Sequence, residues 1–306
     1  MRRLLSSELL RFRSRRLVVV VFVGAIVGTV VGSVIAGFNS TPPTDAVLAE
    51  ARDRARKEVA NCLATEWRGV DLGGMTLEEF CEKNVGNELH YVPSHLALAD
   101  LPAIIEGVAS LTSILGLRIG ASFVAASWQT GTIGTILTWD PRRSRWFGGR
   151  LVVLGFGVFV MTSAMIAFLS AALAATAAIR GSTVLPDVWW RDLLTTVLRV
   201  ATAASIGSLI GGAIAAVGRH TAAALGVVFV WVAVLEGIVR ALRPMWSPWL
   251  LGDNMVAFVS WTTTNFQVSA SRSYTITPAH GVLVIGLYMA ALVAVAFAFV
   301  RIRDVH

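Results

Sequence analysis

Charge is what this 306-residue chain has least of: Asp, Glu, Lys and Arg make up 15% of it, against 55% hydrophobic residues. Soluble domains carry about 25% charged residues, and a soluble globule of this length could not hide so much apolar surface. The mean hydropathy of +0.69 points the same way, to an integral membrane protein. Lysine is almost missing, present only as Lys57 and Lys83. Neither follows a glycine, so no Gly-x4-Gly-Lys-Ser/Thr phosphate loop exists and a P-loop ATPase is excluded. Nucleic-acid binding is a poor account of the +7 formal charge, because the arginines flank apolar spans instead of forming one basic face. Cysteine is scarce as well, with two in the whole chain. His90 and His95 are separated by Pro93 and no cysteine or carboxylate stands at ligand spacing, so no metal site is expected.

What is present is a series of charge-poor runs long enough to cross the roughly 30 Å hydrocarbon layer as helices of about 20 residues. The spacing predicts an all-α, polytopic protein with six transmembrane helices. Residues 1–16 read as an interfacial helix, followed by span one at 17–37. That apolar run is longer than the core of a signal peptide, which argues against cleavage. Residues 38–102 form a polar external domain, and span two covers 103–127. A cytoplasmic loop occupies 128–150. The remaining spans fall within 151–300: 151–179, 193–217, 222–242 and 281–300. An outer re-entrant segment lies at about 243–267, and residues 301–306 form a tail.

Orientation follows from the basic residues. With the N-terminus inside, the segments assigned to the cytoplasm hold thirteen arginines and three acids, Glu8, Asp140 and Asp304. The acid-rich segment 38–101 then lies outside, and both termini are cytoplasmic in the plasma (inner) membrane. In the external segment, Val47, Ala51, Ala55 and Val59 recur every fourth residue, as on an amphipathic helix. Thr76 and Glu79 form a capping-box pattern opening a second helix. Cys62 and Cys81 share this compartment and are expected to be joined, closing a loop worth roughly 3 kcal/mol. Two buried free thiols are the alternative. In residues 1–16, Leu4, Leu5, Leu9 and Phe12 share one arc of a helical wheel, with Arg2, Arg3 and Arg13 outside it, as in a helix lying on a membrane surface.

The most specific stretch runs from Trp128 through Gln129, Thr130, Gly131 and Thr132 to Pro141-Arg142-Arg143, with Arg150 opening span three. It resembles the cytoplasmic loop of type-2 ABC transporter permeases of the actinobacterial kind, in which Glu-Trp-x-x-Gly-Thr precedes a short amphipathic helix, Pro-Arg-Arg and a basic residue. Ser127 stands where that family carries glutamate. The six-span layout, the basic N-terminal helix and the Trp-rich segment before span six agree with the resemblance. It implies a half-transporter: two permease copies, as a homodimer or heterodimer, form the pathway, and separate P-loop ATPase subunits bind Mg-ATP underneath. The permease itself then binds no cofactor and is not an enzyme. The loop becomes a coupling helix from Thr132 to before Pro141, with Ile133, Ile136, Leu137 and Trp139 offering apolar contacts. Arg142, Arg143 and Arg145 would pair with acids of the ATPase or with anionic lipid. An ordinary positive-inside loop is the bland alternative.

Four charges lie in or at the edge of spans, Arg118, Arg199, Glu236 and Arg240, where they are functional candidates by default. Glu236 and Arg240 stand four apart and are placed either to pair on one helix face or, near the outer end of the span, to snorkel separately to the interface; no second intramembrane acid is expected beside Glu236. Trp246, Trp249 and Trp261 suit a membrane interface, and the resemblance places them at an outer gate. Gly207, Gly211 and Gly212 in span four would let a second subunit approach closely. Two other classes stay open: an ion-driven secondary transporter, and a membrane-anchored sensor or binding protein acting through the external domain.

Overall fold

The computed structural model describes residues 2–40, 44–65, 76–92, 95–139, 142–269 and 272–302. Among these, six helices are long and apolar enough to cross a membrane, so the chain is a helical, membrane-embedded protein. A short helix α1 (Arg2–Arg13) precedes the first of them, α2 (Arg16–Asn39). Helices α3 (Asp45–Ala64) and α4 (Leu77–Val85) follow. The short α5 (Leu101–Gly107) then leads into α6 (Ala109–Gln129). Val108 interrupts what the hydropathy suggests is a single span at 103–127. The short α7 (Thr132–Trp139) joins α6 to α8 (Arg143–Arg180), after which come α9 (Trp189–Gly218) and α10 (Thr221–Phe229). A wide π-helical turn at Val230–Leu235 carries α10 into α11 (Glu236–Leu242).

Two features depart from the expected layout. Helix α8 begins at Arg143, not at 151, because Arg150 is buried and its charge is met inside the protein. Its 38 residues make a rod of about 57 Å, well beyond the hydrocarbon thickness. The segment before the last span is also not purely helical. A 3-10 turn at Pro244–Trp249 and α12 (Leu251–Ser260) are followed by a hairpin of β1 (Thr264–Ser269) and β2 (Arg272–Ile276). The strands are antiparallel, with Phe266 opposite Tyr274 and their rings stacked 5.3 Å apart. The alternation Phe266, Val268 and Tyr274, Ile276 has the period-2 signature of strands, which the surrounding apolar, helical context obscures. Helix α13 (Pro278–Ile302) closes the chain.

The chain divides into two compact units. In the first, made of Met1–Val27, Pro102–Phe168 and Val188–His306, the centre is a crossing of α6 and α9 at backbone contact. A Cβ at Gly116 would fall on the carbonyl of Ala204, and one at Gly120 on that of Ser208. Reciprocally, a Cβ at Gly207 would fall on the Ser113 carbonyl and one at Gly211 on that of Leu117. These are two small-xxx-small pairs facing each other, the arrangement that lets membrane helices approach most closely. Gly207, Gly211 and Gly212 are therefore consumed within the chain, Gly212 against Leu154 and Val124, and do not serve a second subunit as the sequence suggested.

The second unit contains Gly28–Leu101 and Leu169–Asp187, so the segment between α2 and α6 shares a unit with the C-terminal end of α8. Ala51 and Ala55 of α3 are buried, as their spacing predicts. Cys62 and Cys81 are bonded, tying α3 to α4, and both halves of the Thr76–Glu79 capping box are formed. The Arg52 guanidinium donates to Glu88 at 2.7 Å. Ser40 donates to the Arg180 carbonyl and accepts from the Leu96 N–H, while Leu98 and Ser182 exchange main-chain bonds with the facing segment.

Candidate functional site

Three clusters in the first unit gather the charged and motif residues. The first is the connection between α6 and α8. Ser127 is buried, and its hydroxyl donates to the Val124 carbonyl one turn back; a glutamate there would place a carboxylate in a closed site. Gly131 takes φ +67°, the left-handed conformation that suits glycine, and turns the chain between α6 and α7. Thr130 and Thr132 lie with hydroxyls 3.1 Å apart, Thr130 donating also to Ala126. The Arg219 guanidinium sits 4.5 Å from the centre of the Trp128 ring. Gln129, Thr130, Gly131, Thr132 and Arg142 are exposed, and Arg143 is half-buried. Ile133 is an exception to the expected surface: it is 2% exposed and packs into the chain's own core, so it offers nothing to a partner. The side chains of Ile136, Leu137 and Trp139, and Pro141 altogether, lie outside the described residues.

The second cluster binds α1 to the start of α8, and hydropathy gave no hint of it. Glu8 and Arg150 are 2% and 3% exposed. Their charged groups stand 3.8 Å apart, an ion pair short of a hydrogen bond, and Arg11 donates to Glu8 at 3.0 Å. Arg150 also donates to the Phe123 carbonyl and stacks 4.5 Å over the Phe123 ring and 5.3 Å over Trp146. Arg15 also lies over the Phe123 ring, 5.2 Å from its centre, and donates to Ser122. Phe12 fills a slot left by Gly157, where a Cβ would come within 2.8 Å of its ring. The expected single apolar arc is thus divided. Phe12 points into the core and Leu5 packs beside it, whereas Leu9 is 49% exposed; the side chain of Leu4 lies outside the described residues. The reason is Glu8, whose burial rotates α1 toward Arg150.

The third cluster lies where α11, α12 and the hairpin meet. Glu236 is buried and accepts main-chain N–H bonds from Leu251 and Gly252, at the start of α12. Arg240 pairs with it at 3.2 Å, as the i,i+4 spacing predicts, and also donates to Asp253 at 2.8 Å. Asp253 is a second acid beside Glu236, contrary to expectation, because the chain folds α12 back onto α11. Tyr274 of the hairpin donates its hydroxyl to Asp253 at 2.9 Å. Burial first, and then this bond, push the Tyr274 phenol up to about 12. An acid set within an apolar run, as in Leu250-Leu-Gly-Asp253, was the available signal. Trp246, Trp249 and Trp261 are all more than half exposed, Trp249 resting edge-on against His280.

The two remaining intramembrane arginines differ. Arg199 donates to Thr196 at 2.7 Å and lies 3.9 Å from Glu106, an acid within the range 103–127 that hydropathy reads as a span. Arg118 is exposed and has no acidic partner among the described residues.

No family model matches this chain, and no curated protein is significantly similar to it. Chemically, the clusters hold no nucleophile–base pair and, among the described residues, no group of metal ligands. The second and third are salt-bridge centres that tie elements together: α1 to α8, and α11 to α12 and the hairpin.

Proposed function

We propose that the chain is the permease subunit of an ATP-driven exporter of the type-2 ABC kind, located in the plasma membrane with both termini cytoplasmic and carrying an amphipathic or hydrophobic substrate. The observation that carries this reading is α7. It is a separate eight-residue helix between two spans, hinged at Gly131 and preceded by exposed polar residues. A lone positive-inside loop needs no such helix. Ile133 anchors α7 to the core, so displacement of α7 would be passed to α6 and α8. A rigidly attached α1, held by Glu8 and Arg150, adds a second lever on the same face. ATP hydrolysis belongs to a partner chain with its own Mg-ATP. Two spans, α2 and the one formed by α10 and α11, are only 11% buried, which fits a pathway completed by a second permease copy.

An ion-driven carrier would draw on the Glu236–Asp253 pair. Arg240 lies between these carboxylates and Glu236 is spent on the N–H groups of α12, so the cluster suits an anchor better than a proton relay. The deciding experiment replaces Ile136 and Leu137 together by Asp. The expected result is a permease that inserts normally but loses its copurifying ATPase, since burying charge at a packed contact costs several kcal/mol. Arg142→Ala should be milder, at about 0–1 kcal/mol for an exposed pair. Retention of ATPase and of reporter transport by the double variant would overturn the coupling role.

A further inference from the structure

One face of α8 carries Val152 and Phe156, 61% and 65% exposed and one turn apart. They form a ridge between two apolar grooves. The larger, about 700 Å3, is an open groove lined by α8, α9 and α13, with Gly155, Leu209, Val293 and Phe297 among its walls. The smaller, about 420 Å3, is closed by Leu5 and Leu9 of α1, and both grooves share Val152 and Phe156. On α8 the larger groove runs from Gly148 to Phe159, eleven residue steps or about 16 Å. That is close to half of the roughly 30 Å hydrocarbon layer, the depth of one leaflet.

Two arginines lie on the helices that line the larger groove. Arg145 precedes Val152 by seven residues and so shares its stripe of α8, and Arg301 lies one turn beyond Phe297 on α13. A Cβ at Gly148 would meet the Phe297 ring at 3.5 Å, so α8 and α13 run close together at that level. Both arginines are exposed, and neither has an acidic partner among the described residues. We propose that this face binds a two-chain anionic phospholipid, with its phosphate on Arg145 and Arg301 and one acyl chain on each side of the Val152–Phe156 ridge. Guanidinium groups match a phosphate with paired donors. A helix from a second protein, about 10 Å across, would have to rest on the ridge and leave both grooves unfilled. The site is independent of what drives transport.

The test is intact-mass spectrometry of the full chain after reconstitution in equimolar dioleoylphosphatidylcholine and dioleoylphosphatidylglycerol. Phosphatidylglycerol should be retained at least fivefold over phosphatidylcholine, and the R145Q/R301Q variant should lose that preference. Equal retention by the unaltered chain, or an unchanged preference in the variant, overturns the site. Free inorganic phosphate should not displace the lipid; displacement would mean that the grooves hold no chains and would also overturn it. A phosphatidylglycerol with a photoactivatable diazirine in its acyl chain checks the place without any variant. Adducts on Val152, Phe156 and Val293 are expected, and adducts spread evenly over α2 and α10 would refute the assignment.

Discussion

At the scale of single residues, the chain buries charge and gives it partners within the fold. Arg150 is the clearest case, since its guanidinium is shared among Glu8, the Phe123 carbonyl and two aromatic faces. Removing one partner of a buried pair leaves an uncompensated charge, at about 3–5 kcal/mol, whereas replacing both by apolar groups is often neutral. Glu8→Leu should therefore lower the thermal unfolding midpoint sharply, and E8L/R150M should recover most of the loss. Additive losses in that double-mutant cycle would show that the two do not interact. Tyr274 gives a pH prediction. Because its folded pKa of about 12 exceeds that of a free phenol near 10, its contribution is complete below pH 10. It should fade as pH rises from 10 through 12, with the loss absent in Tyr274→Phe. Phenolate absorbance titration against stability measures both; a Tyr274 signal titrating at 10 would contradict the buried bond to Asp253.

At the scale of elements, the α6–α9 crossing is the contact that admits least change. Its four glycines leave no room for a side chain, because the opposing atoms are main-chain carbonyls and cannot swing away. Gly120→Val should cost at least the 1–3 kcal/mol typical of overpacking, seen as loss of folded protein after detergent extraction. Unchanged yield and thermal stability would mean that the helices do not touch there. The glycines of α2 present the opposite situation: Gly24, Gly28 and Gly32 have nothing within 4 Å. Their spacing has the same small-xxx-small form, yet among the described residues it meets no neighbour.

For the whole molecule, that vacant stripe is where a second permease copy would pack under the proposed function. Gly28→Leu should leave the single chain folded, since no atom is near enough to clash. It should lower the fraction of dimer measured by light scattering in detergent, while Gly120→Val acts on folding instead. A Gly28→Leu protein that stays as dimeric as the unaltered chain would move the subunit interface elsewhere, with the poorly buried α10 and α11 next to be tested.

The sequence by itself determined the membrane class, the six apolar helices, the amphipathic α3 and the capping box of α4, and it named the Cys62–Cys81 bond and the Glu236–Arg240 pair as one of two readings each. Each is written in local terms, as hydropathy over twenty residues, spacing along one helix, or two cysteines alone in one compartment. Only the tertiary structure decided what required distant segments to meet. Glu8 and Arg150 are 142 positions apart, and nothing local tells that the pair will bury, extend α8 to Arg143 and turn α1 inward. Asp253 joins Glu236 because α12 folds back, and Gly207 and Gly211 face inward because Gly116 and Gly120 oppose them. The hairpin at 264–276 escaped for a related reason: a short strand acquires its identity from its cross-strand partner, and Phe266 finds Tyr274 only once the turn has formed.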